Sequence, residues 1–84
     1  MTRKDMSPTD AIRTLLARRR SGASICPSEA ARLIDSEDWR PLMPMVRAAA
    51  AALADEGEIV VTQKNTVVDI QTARGPVRLR LRDE

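Results

Sequence analysis

The sequence predicts an α+β fold, a winged helix-turn-helix in which a three-helix core is followed by a β-hairpin wing. Three observations carry that expectation. Apolar residues recur at helical spacing in three stretches before Gly57, the pattern changes to period two after it, and a polar run, Asp35-Ser36-Glu37-Asp38, separates the second helical stretch from the third. Helices followed by strands around one core is the α+β order.

The first helix is expected over residues 9–20, where Ile12, Leu15 and Leu16 make the apolar stripe and Arg13, Arg18, Arg19 and Arg20 lie mostly off it. Ser7 or Thr9 caps its start, with Pro8 and Asp10 in or near the first turn, and Gly22 stops it. Ser24-Ile25 reads as a very short strand. The second helix opens at Pro27, which needs no amide partner in the first turn, and Glu29 favours the positive N-terminal end. It runs to about Ile34, with Ala30, Leu33 and Ile34 inward and Arg32 outward. The polar run then lets the third helix leave at a steep angle. Asp35, Glu37 and Asp38 read as caps and partners for Arg32 or Arg40, with Ser36 capping the turn that carries Trp39.

The third helix is the longest, from Arg40 or Pro41 to Glu56, with Leu42, Val46, Ala49 and Leu53 on its inner face and Gly57 at its end. Pro41 and Pro44 fit the first turn, where amides have no intrahelical acceptor. The alanines at 48–52 permit close packing against the first two helices. Trp39 is the only aromatic residue and is expected as the structural anchor between the second and third helices. Its replacement by Ala is expected to cost about 3 to 5 kcal/mol if it is buried.

After Gly57, residues 58–63 and 77–82 read as strands. In the second of these, Val77, Leu79 and Leu81 point inward and Arg78, Arg80 and Arg82 outward. Lys64-Asn65 reads as a hairpin turn, residues 66–68 fold back on 59–62, and residues 69–75 make one capped turn before Pro76 re-enters the sheet. The expected organisation is a flexible N-terminus at 1–8, a single domain at 9–82 and a tail at 83–84.

Composition narrows the function classes. The chain has 84 residues, 43% hydrophobic and 31% charged, which suits one small aliphatic core. Cys26 is alone and histidine is absent, so neither an internal disulfide nor a zinc site is expected, and no metal or cofactor is called for. Without an apolar leader or spanning segment, the expected setting is cytoplasmic, with no membrane partner. The net charge of +2 hides acidic and basic stretches, so charge distribution matters more than the total.

Three strings are distinctive: Ser24-Ile25-Cys26-Pro27-Ser28-Glu29-Ala30-Ala31-Arg32, then Trp39-Arg40-Pro41-Leu42-Met43 with Val46-Arg47, then Ala73-Arg74-Gly75-Pro76-Val77-Arg78-Leu79. Together they resemble the bacterial domain of unknown function 3253 family over nearly the whole chain. The resemblance implies a winged-helix fold and brings no particular activity. Ala30 departs from it, standing where the family more often has Val.

The leading functional expectation is DNA binding, weak or shape-dependent, with a transcriptional role. The third helix would enter the major groove with Arg40 and Arg47, and the wing would supply Arg78, Arg80 and Arg82 with Lys64 and Arg74. An arginine-rich strand face also keeps a small domain soluble, and that plainer reading stands beside it. The third helix carries few residues that read bases. The alternative is a protein-interaction module using Met43, Met45 and the alanines, which gains if both methionines are exposed together. Cys26, at a helix start, is a candidate redox thiol, though a buried inert cysteine beside Ile25 is the favoured reading. No residue set suggests catalysis, because no histidine base, phosphate loop or nucleophile elbow is present. A monomer or weak homodimer is expected.

Overall fold

The computed structural model describes residues 4–19 and 22–82. Arg20, the tail at 83–84 and the first three residues of the expected flexible N-terminus lie outside the described residues.

Helix α1 spans Pro8–Arg18, and Arg19 caps its end in extended backbone, so the helix closes before the expected stop at Gly22. The Asp10 amide donates to Ser7 Oγ at 3.1 Å, so Ser7 rather than Thr9 is the cap and Pro8 takes the first turn. Strand β1, Ser24–Ile25, leads into α2, Pro27–Ile34. The Cys26 amide donates to the Glu29 carboxylate at 2.7 Å, which satisfies a backbone group that the helix start leaves open. The buried stripe of α2 is Ala30, Ala31 and Ile34 together with Pro27. Leu33, expected inward, is only partly buried against the core, because Ala31 takes the inner position.

The expected single third helix is two elements. Arg40–Leu42 form one 3₁₀ turn, and α3 runs over Met43–Asp55. Each proline lacks an amide and clashes with the preceding turn, so Pro41 and Pro44 each occupy the opening of their own element. The inner face of α3 is Val46, Ala50, Ala51 and Leu53, while Ala49 and Leu42 are half-buried at its margin. The end is a Schellman cap: the Gly57 amide donates to the Ala54 carbonyl and the Glu58 amide to the Leu53 carbonyl, each at 3.0 Å. Gly57 has φ +78°, which a residue with a Cβ adopts only with strain.

Strands β2, Ile59–Gln63, β3, Thr66–Val67, and β4, Arg78–Leu81, join β1 in one antiparallel sheet of order β1-β4-β2-β3. Ile25, Leu79 and Val61 lie in one cross-strand row and face the helices. Val77 and Leu79 are buried as expected, but Leu81 is 40% exposed. β1 pairs only with Leu79 and Arg80, so Leu81 has β2 alone beside it at the end of the strand. Lys64 and Asn65 have φ of +52° and +67°, both positive as a two-residue type I′ hairpin requires.

The segment between β3 and β4 does not project as a simple hairpin. Asp69 caps it, accepting the Gln71 amide on Oδ1 at 2.9 Å and the Thr72 and Ala73 amides on its carbonyl at 3.1 and 2.8 Å. Ile70, 4% exposed, is driven into the core and draws the segment onto the domain. Among the described residues, no helix is long and apolar enough to cross a membrane.

Candidate functional site

The outer face of the sheet follows from the same alternation that buries the inner one. When Ile25, Leu79 and Val61 turn inward, Ser24, Arg78, Arg80, Val60 and Thr62 turn outward. Next to them the hairpin turn presents Lys64 and Asn65. A groove of about 370 Å³ is lined by Gly22, Ser24, Thr62, Lys64, Asn65, Arg78 and Arg80. Its chemistry is three cations with hydroxyl and amide groups, and none of its described lining residues is a carboxylate.

Arg78 is fixed there. Its Nε donates to Ser24 Oγ and its Nη2 to the Ser24 carbonyl, each at 2.9 Å. The two bonds stitch β1 to β4 and hold the guanidinium fork in one orientation, leaving other N–H donors for a ligand. Ser24 was expected only as part of a short strand, and its role depends on a partner far along the chain.

The other expected binding residues are placed elsewhere. Arg82 follows the end of β4, and its Nη1 lies 3.2 Å from where a Cβ on Gly57 would sit. It is therefore at the opposite end of the strand from Arg78. Arg74 is exposed in the loop, with its carbonyl accepting from Gln63 Nε2. The same amide nitrogen donates to the Pro76 carbonyl at 3.2 Å, so Gln63 clamps the chain on both sides of Gly75. Arg47 is half-buried and directs Nη2 at the carbonyls of Ile70 and Ala73, 3.4 and 3.2 Å away. It holds the docked loop against α3.

Arg40 is exposed and lies over the Trp39 ring at 4.6 Å, and Arg32 lies over the same ring at 4.5 Å. Trp39 is partly buried against the core at the start of the 3₁₀ turn. The expected pairing of Arg32 and Arg40 with the neighbouring acids gives way to this stack, since the ring lies next to both guanidinium groups. Asp35 instead closes its own turn, accepting the Glu37 and Asp38 amides on Oδ1 at 3.1 Å, with Lys4 at 3.9 Å. Those amide donors, Asp38 first, and the Lys4 charge hold its carboxyl below the usual range.

Glu58 is the other perturbed acid. Arg13 Nε and Nη2 each donate to it at 2.8 Å, and this pair of hydrogen bonds lowers the Glu58 pKa and raises that of Arg13. The contact ties α1 to the start of β2. Both acids are thus engaged away from the groove.

Cys26 is half-buried rather than buried, because it occupies the cap position of α2 while Ile25 takes the core site. The Ser28 hydroxyl donates to its Sγ at 3.2 Å. The two methionines divide: Met45 is 52% exposed and Met43 packs against the core.

The family model for a protein of unknown function (DUF3253) matches residues 5–82. The chain belongs to this family. The DUF3253 region includes every helix and strand described above, and with them Ser24, Lys64, Arg78 and Arg80 of the groove. No curated protein matches the chain. In this DUF3253 member, the groove residues outside the expected binding set are Gly22, Ser24, Thr62 and Asn65. Alternation puts Ser24 and Thr62 on outward positions, but only the pairing of β4 with both β1 and β2 makes them neighbours of the arginines.

Proposed function

We propose that the domain is a non-enzymatic winged-helix module that holds nucleic acid by its phosphate backbone through the outer face of its sheet. The observation that carries this reading is the meeting of Lys64, Arg78 and Arg80 in one groove with no carboxylate among its described lining residues. Cations joined by hydroxyl and amide groups suit phosphate oxygens. The winged-helix part rests on the element order, with β1 returning between α1 and α2 to flank β4, and with β3 and the capped loop in the place of the wing.

This reading moves the emphasis away from the third helix. Arg47 is occupied by the loop carbonyls and Arg40 by Trp39, which favours backbone contact over base readout. The protein-interaction alternative has less to support it, since only Met45 of the two methionines is well exposed.

Fluorescence anisotropy of a labelled mixed-sequence DNA duplex at about 50 and about 200 mM salt tests the proposal, because counterion release makes backbone binding strongly salt-dependent. Salt-sensitive binding that weakens in Arg80→Ala is the expected result. Binding that is absent at the lower salt, or untouched by the substitution, removes the reading and directs attention to a protein partner.

A further inference from the structure

The outer face of the sheet also bears on which form of nucleic acid it suits. Its cross-strand rows are Ser24, Arg80 and Val60, then Arg78 and Thr62, and the turn adds Lys64 and Asn65. No aromatic ring is among these residues. Proteins that hold single strands without regard to sequence stack the bases on aromatic side chains. The one ring of this chain, Trp39, lies at the junction of α2 and the 3₁₀ turn, already flanked by Arg32 and Arg40. The groove therefore offers cations and hydrogen-bond donors without a stacking platform.

A duplex matches that inventory. It carries one charge per about 1.7 Å of axis on a stiff surface, so fixed cations meet phosphates without first ordering a flexible chain. The fixed element on the protein side is Arg78, held by Ser24. We infer that the groove binds duplex nucleic acid in preference to single strands, by phosphate contact and without regard to base sequence. This inference rests on the backbone-binding reading above.

The test is a salt titration of the full chain against labelled duplexes of unrelated sequence and against each of their single strands. With three phosphates neutralised, log affinity falls by about 2.7 per log salt for duplex and about 2.1 for single strand. Extrapolated from equal binding at 1 M, that difference makes duplex about sixfold tighter at about 50 mM salt. Affinity for the different duplexes agrees within about twofold, as backbone contact requires.

Lys64→Gly removes a groove charge at a position of positive φ that glycine favours, so thermal stability holds or rises while the salt slope drops by about 1. Arg18→Ala, an equal charge change at the end of α1, leaves binding as it was. Ser24→Ala removes no charge yet weakens duplex binding, because it takes away the Oγ acceptor that orients Arg78 Nε while the backbone carbonyl still holds Nη2, the signature of a positioning residue. Single strands bound as tightly as duplex, or a marked preference among duplexes, overturn the inference and leave backbone binding standing. Binding to neither form overturns both. Retention on vesicles containing anionic lipid, with none on duplex, also overturns both and makes a lipid headgroup the phosphate source.

Discussion

A guanidinium on a helix has five N–H donors to place, and Arg47 spends part of its set on two loop carbonyls. Arg47→Met keeps the aliphatic stem and removes the donors, leaving the Ala73 carbonyl to find water or open the loop. The expected cost is about 1 to 2 kcal/mol, with faster hydrogen exchange of the amides at 71–73. Arg47→Lys restores only part of it, since an ammonium lacks the fork. Unchanged exchange in Arg47→Met would show that Ile70 alone docks the loop. Glu58 gives a pH-dependent counterpart. Its folded pKa lies below the unfolded value of about 4.3, so the stability from its contact with Arg13 is complete above that value and is lost as pH falls through the folded one. Thermal unfolding of Glu58→Gln should therefore fall below that of the parent at neutral pH and converge with it as pH falls through the lowered folded pKa of Glu58. The side chains are 48% and 33% exposed, so the gap is small and closes with added salt.

Among the elements, α3 shows how a run of one residue type is sorted by its surroundings. Ala50 is fully buried and Ala52 exposed, although both lie in the same stretch of alanine. Ala50→Leu inserts a larger side chain at a fully buried position, at an expected cost of about 1 to 3 kcal/mol. Ala52→Leu is expected to change stability by less than about 0.5 kcal/mol. Urea denaturation of the two variants measures the difference, and equal midpoints would mean that α3 is rotated from the orientation described. β1 makes a related point about length. Two residues form a strand because Ile25 is buried at one and the Arg78 guanidinium ties down the other.

For the molecule as a whole, Trp39 links α2, the 3₁₀ turn and the core, but it is only half-buried. Trp39→Ala is therefore expected to cost about 2 kcal/mol, below the range for a fully buried ring, as read by thermal unfolding. A loss near the full-core range would mean that the Arg32 and Arg40 stack contributes more than its exposure suggests. The sequence by itself determined the three helical stretches, the stop at Gly57, the hairpin turn at Lys64-Asn65 and the capped turn at Asp69. Each of these follows from a local rule: a period, a missing amide, a positive φ or a short side chain returning to its own backbone. The structure chose Ser7 over Thr9 as the first cap and ended that helix at Arg19, before Gly22. The split at Pro41 and Pro44 was half-legible, because the prolines named the place but the choice between one element and two depended on how the chain enters α3. Only the tertiary structure decided which cations share a groove and which are taken up by the fold. Arg40, Arg47, Arg78 and Arg80 look alike in sequence, yet Arg40 lies on Trp39, Arg47 meets carbonyls 23 and 26 residues away, and Arg78 meets Ser24 across 54. Periodicity assigns a side chain to a face of its own element and carries no information about what distant segment that face will meet.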